Sequence, residues 1–355
     1  VTEVKTNKIV TSAPTKIILT GEHSVVHGSW AIAVPINLRN RVELTSEEPR
    51  GKPELFLEEV GEPKWWARMH ADGTFEGNEA YKCLFEMAKH IFSQNGTSLE
   101  KIGKNLRVEL HFCHSPKGTG NSASVAAALA LALNSLLGKK PSRQELFETV
   151  QVSEKVVHGA PSGVDARTVV SDNAQKFRKE FLPDGSTKFH FQDIDLKLPR
   201  DTTLLVINTS LPEAKTESTG ELVTRFSQTH FKKNPGELTS EERKRITEPF
   251  NEIVLTMEKE LHEEGNPQKL GELFNKNHLL LANGRVSSPR IEEARKICLE
   301  AGALGAKLTG AGGSGGAVIA LVKKEKAKAL IEALKGGGFR AFEAQTADRG
   351  ASAGE

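Results

Sequence analysis

A chain of 355 residues is long enough to bury a substantial core and to divide into about two domains. With 37% hydrophobic and 26% charged residues it has the make-up of an ordinary globular protein, and a formal net charge of +2 gives no argument for nucleic acid or an acidic membrane surface as a partner. Three widely spaced cysteines, Cys83, Cys113 and Cys298, form neither a disulfide framework nor a metal-ligand spacing, so each reads as a small side chain in a reducing compartment.

The opening "VTEVKTNKIVTSAPTKIILTGEHS" mixes charges into its apolar residues, and no run of about 18 apolar residues occurs. Neither a signal peptide nor a membrane span is expected, and the cytosol is the expected location. "TKIILTGEHSVVHGSWAIAVPI" reads as a strand at Lys16–Leu19, an irregular loop around Gly21–Gly28 and a strand at Ala31–Ile36, which "NRVELTS" continues by alternation. Residues 48–78, rich in Gly, Pro and Glu, read as a variable excursion holding a short "KWWARM" segment. Ala80, Leu84, Met87, Ala88 and Ile91 fall near helical spacing in an amphipathic helix ended by Asn95 and Gly96. "NLRVELHF" alternates as a strand and leads into "HFCHSPKGTGNSASVAAALALALNSLL", a glycine turn delivered straight into a helix.

Residues 143–158 read as a helix, residues 176–200 as strands and turns, and "TTLLVINTS" as a buried strand whose exit at Leu211–Pro212 suits a lobe boundary. We therefore divide the chain into 1–205 and 206–355. Residues 221–301 are mostly helical; Ser288 caps a final helix with Pro289 at its first position and Gly302 beyond its end. A strand, a glycine-rich turn, a strand, a helix and a last strand complete the second half, and "DRGASAGE" reads as a disordered tail. Helices and strands mixed without a repeat favour an α/β or α+β fold.

Four segments carry candidate chemistry. In "PTKIILTGEHSVVHG" a strand ends at Gly21 and is followed at once by Glu22, His23 and His27. In "SPKGTGNSAS", Gly118 and Gly120 permit unusual torsions beside a helix start with free N–H groups, and Ser122 and Ser124 can cap, bind phosphate or ligate a metal. The segment is neither a Walker A motif nor a dinucleotide-binding fingerprint. In "EKVVHGAPSGVD", Asp165 follows Glu154 by eleven residues across a Gly/Pro turn, so that folding back would bring two carboxylates to one site. Finally, "KLTGAGGSGGAVIAL" sets five glycines, Gly310, Gly312, Gly313, Gly315 and Gly316, within seven positions. That density is costly in backbone entropy and fits a cradle against a phosphate-bearing ligand. Two glycine loops, a hydroxyl-bearing helix start and two acids are the parts of a phosphoryl-transfer site.

In this order the four segments, with "NHLLLANGRVSSPRIEEA", resemble the GHMP kinase superfamily, and within it the mevalonate kinases, over essentially the whole chain. The resemblance implies an α+β, two-lobed fold: an N-terminal α/β lobe, a C-terminal ferredoxin-like lobe and a cleft between them. It also implies ATP-dependent phosphorylation of the 5-hydroxyl of mevalonate with Mg²⁺. Carried onto this chain, it makes Asp165 the catalytic aspartate and Lys16 the lysine beside it. Ser122 and Glu154 become the Mg²⁺-binding pair, with Ser124 taking the serine's place if the alignment slips. Lys117, Gly118, Thr119, Gly120, Asn121, Ser122 and Ser124 line the nucleotide loop. Glu22, His23 and Gly312 meet the acceptor. A homodimer and feedback binding of prenyl diphosphates are further implications. The chain departs from the family at Thr15, where Gly is usual, at Thr119 for Leu and Asn121 for Ser, and after Asp165, where Gly-Gly is missing. A phosphomevalonate kinase and a non-catalytic small-molecule sensor on the same fold are the alternatives, and Asp165 can serve as base or as electrostatic anchor.

Overall fold

The computed structural model describes residues 8–49, 51–61, 64–159, 161–211 and 217–354. Pro212 at the expected lobe exit and Ala160 within "HGAPSGVD" lie outside the described residues, as do residues 1–7 of the opening stretch. The first lobe runs β1 (Ile9–Thr20), a 3₁₀ turn (Ser24–His27), β2 (Trp30–Glu47), β3 (Glu54–Glu59), β4 (Trp66–His70), β5 (Phe75–Gly77), α1 (Lys82–Gln94), α2 (Leu99–Ile102), β6 (Asn105–His111), α3 (Asn121–Leu136), α4 (Arg143–His158), α5 (Val164–Val170), β7 (Ala174–Phe181) and β8 (Thr187–Ile194). The second runs β9 (Thr202–Asn208), α6 (Thr219–Phe231), α7 (Ser240–Glu260), α8 (Pro267–Asn283), α9 (Pro289–Glu300), β10 (Gly305–Thr309), β11 (Ala317–Lys323), α10 (Lys324–Gly336) and β12 (Arg340–Ala344), before β13 (Ser352–Ala353). Among the described residues no helix is long and apolar enough to cross a membrane.

In the first sheet the strand order is β13-β1-β2-β6-β3-β4-β5, with β7 on β2 and β8 on β7. Among the described residues only the β3–β6 pairing in it is parallel. Leu44, Leu55, Leu57, Val108 and Leu110 turn inward against α1, α3, α4 and α5. Helix α3 lies in the middle of this core and is buried along most of its length, which accounts for its alanine-rich, weakly amphipathic sequence. The second sheet is antiparallel in the order β10-β11-β9-β12. Leu205, Ile207, Val318, Ala320 and Leu308 enter the core beneath the second lobe's helices. Leu204, Val206, Ile319 and Leu321 face the other way and pack with Ile17, Leu19, Ile32 and Val34 of the first lobe. Burial on both faces explains the unbroken apolar run of β9, and the two lobes share a core along this seam.

Three expectations change. The described part of residues 48–78, from which residues 50, 62 and 63 are excluded, is not a loose excursion: β3, β4 and β5 extend the first sheet, and Leu55, Leu57, Ala67 and Met69 alternate into its core. The proposed division at 205/206 falls inside β9, a central strand of the second sheet, so a lobe boundary fits better ahead of Thr202. The tail is ordered as far as Gly354, and Glu355 lies outside the described residues. Arg39 donates to the Arg349 and Gly350 carbonyls and Arg143 to that of Ala351, the Gly350 N–H donates to Asp172, and β13 pairs with β1. The cap at Ser288 is as expected, with Pro289 starting α9. All three cysteines are free thiols, Cys83 and Cys298 buried and Cys113 half-buried.

Candidate active site

A cleft of about 490 Å³ opens between the lobes. Its first-lobe wall is the Ser115–Gly120 loop, the start of α3, and Asp165 at the start of α5; its second-lobe wall is the glycine loop after β10 together with Glu217 and Thr219. Gly120, at φ +73, turns the chain into α3 with no side chain capping the helix, so N–H groups of the first turn are left to the cleft. A side chain at Gly120 would press on Lys16: a Cβ there would lie 3.1 Å from Lys16 Cγ. Gly310 is equally confined, its Cβ position falling 3.2 Å from the Gly118 carbonyl, and the two glycine loops face each other there.

The catalytic candidates converge. Lys16, buried on β1, puts Nζ 3.1 Å from Asp165 Oδ1 and 3.0 Å from the Gly118 carbonyl, and its N–H donates to Thr119 at 2.8 Å. Glu154, buried on α4, lies near the Ser122 hydroxyl, and its Oε1 is buried with no partner. Burial first, and the nearby Asp165 charge second, push its carboxyl above the ordinary value, while Ser122, His158 and Lys16 oppose the shift. A buried acid with one orphaned oxygen, near a hydroxyl at the cleft wall, suits a hard divalent cation.

Lys117, Gly118, Gly120, Asn121, Ser122, Asp165 and Gly312 therefore line the cleft, with Lys16 and Glu154 directly behind them. Four other candidates do not. Ser124 is buried and donates to the Ala13 carbonyl at 2.8 Å, which leaves Ser122 as the hydroxyl facing the cleft. Thr119 is buried, and its hydroxyl donates to the Pro116 carbonyl at 2.6 Å. Glu22 forms a buried ion pair with Lys307, and His23 donates from Nε2 to the Ala311 carbonyl at 2.8 Å. Burial lowers the His23 pKa to about 4, so it is neutral in the fold.

The departures from the usual motif have local partners. Asn121 accepts from Ser115 Oγ at 2.8 Å and donates to the Ser115 carbonyl at 3.1 Å, bracing the loop from within. Thr15 donates to the Leu38 carbonyl at 2.9 Å beside a bulge in β1.

The description "GHMP kinases N terminal domain" matches residues 80–172, and "GHMP kinases C terminal" matches residues 257–338. A mevalonate kinase of Pyrococcus horikoshii is 31% identical over 312 residues, 86% of this chain and 87% of that protein. One of Aeropyrum pernix is 30% identical over 345 residues, 96% of each. The chain belongs to the GHMP kinase family. Crystal structures of the L. major mevalonate kinase in complex with R-mevalonate (24% identity, 94% of this chain and 95% of that one) and of the Methanococcus jannaschii mevalonate kinase (22%, 97% and 99%) share its fold, each with a TM-score of 0.73.

Two cleft residues of this GHMP kinase escape motif reading. Glu217 lines the cleft, pairs with Arg225 and accepts from the Ser314 N–H at 3.2 Å; Arg225 chiefly, with help from Ser314, holds its carboxyl below the ordinary range. His158 sits one helical turn beyond Glu154, its Nε2 3.6 Å from the carboxylate, and faces the cleft. Its i,i+4 spacing was the available signal. Glu217 lies outside the motifs and offered none.

Proposed function

We propose that this GHMP kinase transfers the γ-phosphoryl group of ATP to the 5-hydroxyl of mevalonate, giving 5-phosphomevalonate and ADP. The observation that carries the reading is the meeting of Lys16, Asp165 and the uncapped start of α3 at one end of the cleft. It occurs in a chain 30% identical over 96% of its length to a protein named mevalonate kinase.

Each residue has a task. Backbone N–H groups at Gly118, Gly120 and the first turn of α3 take phosphate oxygens, and the Gly310–Gly316 loop closes over them from the other lobe. Asp165 accepts a hydrogen bond from the acceptor hydroxyl and aims its oxygen, whether or not it finally takes the proton. Lys16 fixes Asp165 in place and adds positive charge where the transferring group is most negative. Ser122 and Glu154 would hold Mg²⁺, which supplies charge neutralisation at the phosphate oxygens when bound. Glu154 Oε1, buried and unpartnered, is the observation in its favour.

A phosphorylated acceptor is less well served. The cleft wall sets the carboxylates of Asp165 and Glu217 against the Lys117 ammonium, which is no cationic pocket for a second phosphate. The bracing of the loop by Asn121 and Thr119 likewise favours a working nucleotide seat over a sensor that has lost one. A homodimer, feedback binding of prenyl diphosphates and a cytosolic location rest on the family resemblance; sedimentation, competition against ATP and cell fractionation test them.

The deciding experiment is coupled ADP release with Mg-ATP against mevalonate, phosphomevalonate, galactose and homoserine, with D165N beside the parent. Turnover on mevalonate alone, lost in D165N while ATP still binds, is the expected result. Turnover on phosphomevalonate instead, or D165N activity equal to the parent's, would overturn the reading.

A further inference from the structure

Strand β10 turns one face to the first lobe. Ala306 and Leu308 point into the second lobe's core, so Lys307 and Thr309 point the other way, as alternation requires. Both are tied across the seam, and so is Ala311 just beyond the strand. Lys307 forms its ion pair with Glu22, the two side chains 0% and 1% exposed. The Thr309 hydroxyl donates to the Ile18 carbonyl at 2.8 Å and accepts from the Ile18 N–H at 3.0 Å. The Ala311 carbonyl accepts from His23 at 2.8 Å, and His23 itself has a left-handed backbone at φ +60.

Stability does not account for the central pair. Desolvating both charges is costly, and an apolar pair of the same volume is commonly at least as stable. Burial pushes Glu22 up and Lys307 down from their ordinary values, and each opposes the other's shift by its charge and hydrogen bond. Glu22 Oε2 is left buried and unpartnered. What such a pair supplies, and apolar packing does not, is register. The neighbouring seam is Ile17, Leu19, Leu204, Val206, Ile319 and Leu321, aliphatic surfaces on which one strand can settle against another in more than one way. Two residues beyond Lys307 the strand enters the cleft wall, and one residue later Gly310 abuts Gly118. A small slip of β10 would therefore part the second glycine loop from the loop that Lys16 and Asp165 hold.

We propose that Lys307 is a positioning residue for phosphoryl transfer: by gripping Glu22 across the lobe seam it sets the Gly310–Gly316 loop in register with the Lys16–Asp165 pair. Glu22 then acts through Lys307 and not through the acceptor. This rests on the kinase reading above.

The test is a double-mutant cycle of K307M, E22Q and E22Q/K307M, read by mevalonate turnover and, independently, by calorimetric ATP affinity, well below each protein's unfolding midpoint. E22Q is isosteric and keeps the cycle informative should K307M fold poorly; K307Q then replaces it. Each single variant is expected to lower kcat at least tenfold and weaken ATP at least threefold, with the mevalonate KM within twofold of the parent. The double variant should be no worse than the worse single, because both changes break one device. Multiplicative losses, a mevalonate KM raised in E22Q but not in K307M, or all values within twofold of the parent would overturn the proposal. A parent inactive on mevalonate would fail the kinase reading alone, since the ATP-affinity cycle still reports the seam.

Discussion

Replacing Gly120 with alanine tests whether the Lys16–Asp165 pair governs turnover. Gly120 holds φ +73, and its Cβ would stand 3.1 Å from Lys16 Cγ, 3.3 Å from Cε and 3.7 Å from Asp165 Oδ2. The left-handed backbone alone costs an alanine about 1–2 kcal/mol. Lys16 is poorly placed to step aside, because its N–H is bound to Thr119 at 2.8 Å and its Nζ to Gly118 at 3.0 Å and Asp165 at 3.1 Å. The few tenths of an ångström it must yield fall on the reacting geometry, where a misplacement of about 1 Å is worth about a hundredfold in rate. We expect kcat to fall about tenfold, or ~1.4 kcal/mol of barrier. G138A is the control: Gly138 has φ +71 and no heavy atom within 4 Å of its Cβ position, so it carries the same strain and presses on nothing. Denaturant unfolding measures the strain, and coupled ADP release measures turnover. Both variants should lose similar stability, and only G120A should lose rate. Turnover of G120A within twofold of G138A would refute the reasoning, because the pair would then tolerate displacement.

Three further outcomes follow from the same geometry. S122A should raise the Mg²⁺ concentration for half-maximal turnover about tenfold or more, at ~1.4 kcal/mol per tenfold, while S124A should cost about 1 kcal/mol of stability by removing the buried hydrogen bond to the Ala13 carbonyl and leave the Mg²⁺ requirement alone; a Mg²⁺ titration with parallel denaturation separates them. His27 is buried with neither ring nitrogen bonded, and burial lowers its pKa to about 4 from 6.5. The unfolded chain thus binds the extra proton between those values, so the stability that neutral His27 supplies is complete above about pH 6.5 and is lost as pH falls towards 4. H27N should flatten the stability–pH curve over that window, and curves parallel to the parent's would sink the assignment. Deleting residues 349–355 removes the Arg349, Gly350 and Ala351 carbonyls, to which Arg39 and Arg143 donate, and should cost at least about 2 kcal/mol by denaturant unfolding.

What the sequence disclosed and what it withheld divide along one physical line. Elements built from local periodicity were legible: α1, α3, α4 and α9 with its Ser288 cap lie where spacing and caps place them. Strands β3 to β5 were not, because glycine, proline and glutamate around them dilute an alternation only a few residues long. Their place comes from the pairing of β3 with β6, which joins Leu55 to Leu106 across distant chain, and β4 and β5 follow on from β3. The tail looked disordered for a related reason: its own side chains hold little, and guanidinium groups of Arg39 and Arg143 bind its carbonyls.

The site divides the same way. Ser122 and Ser124 differ by two residues, and on a helix of 3.6 residues per turn they point about 200° apart. One faces the cleft and the other the core, so helical phase could have separated them once the start of α3 was known. No local rule reaches Glu22. Its neighbour Lys307 is 285 positions away, and a carboxylate beside a cleft takes its role from what it touches. The motif that contains Glu22 points to the active site, and the partner that buries it turns it from a group awaiting substrate into one end of a strut. Chemistry read from a motif is therefore firmest where the motif's own backbone forms the site, as at Gly118–Ser122. It is weakest where a second segment decides which way a side chain faces.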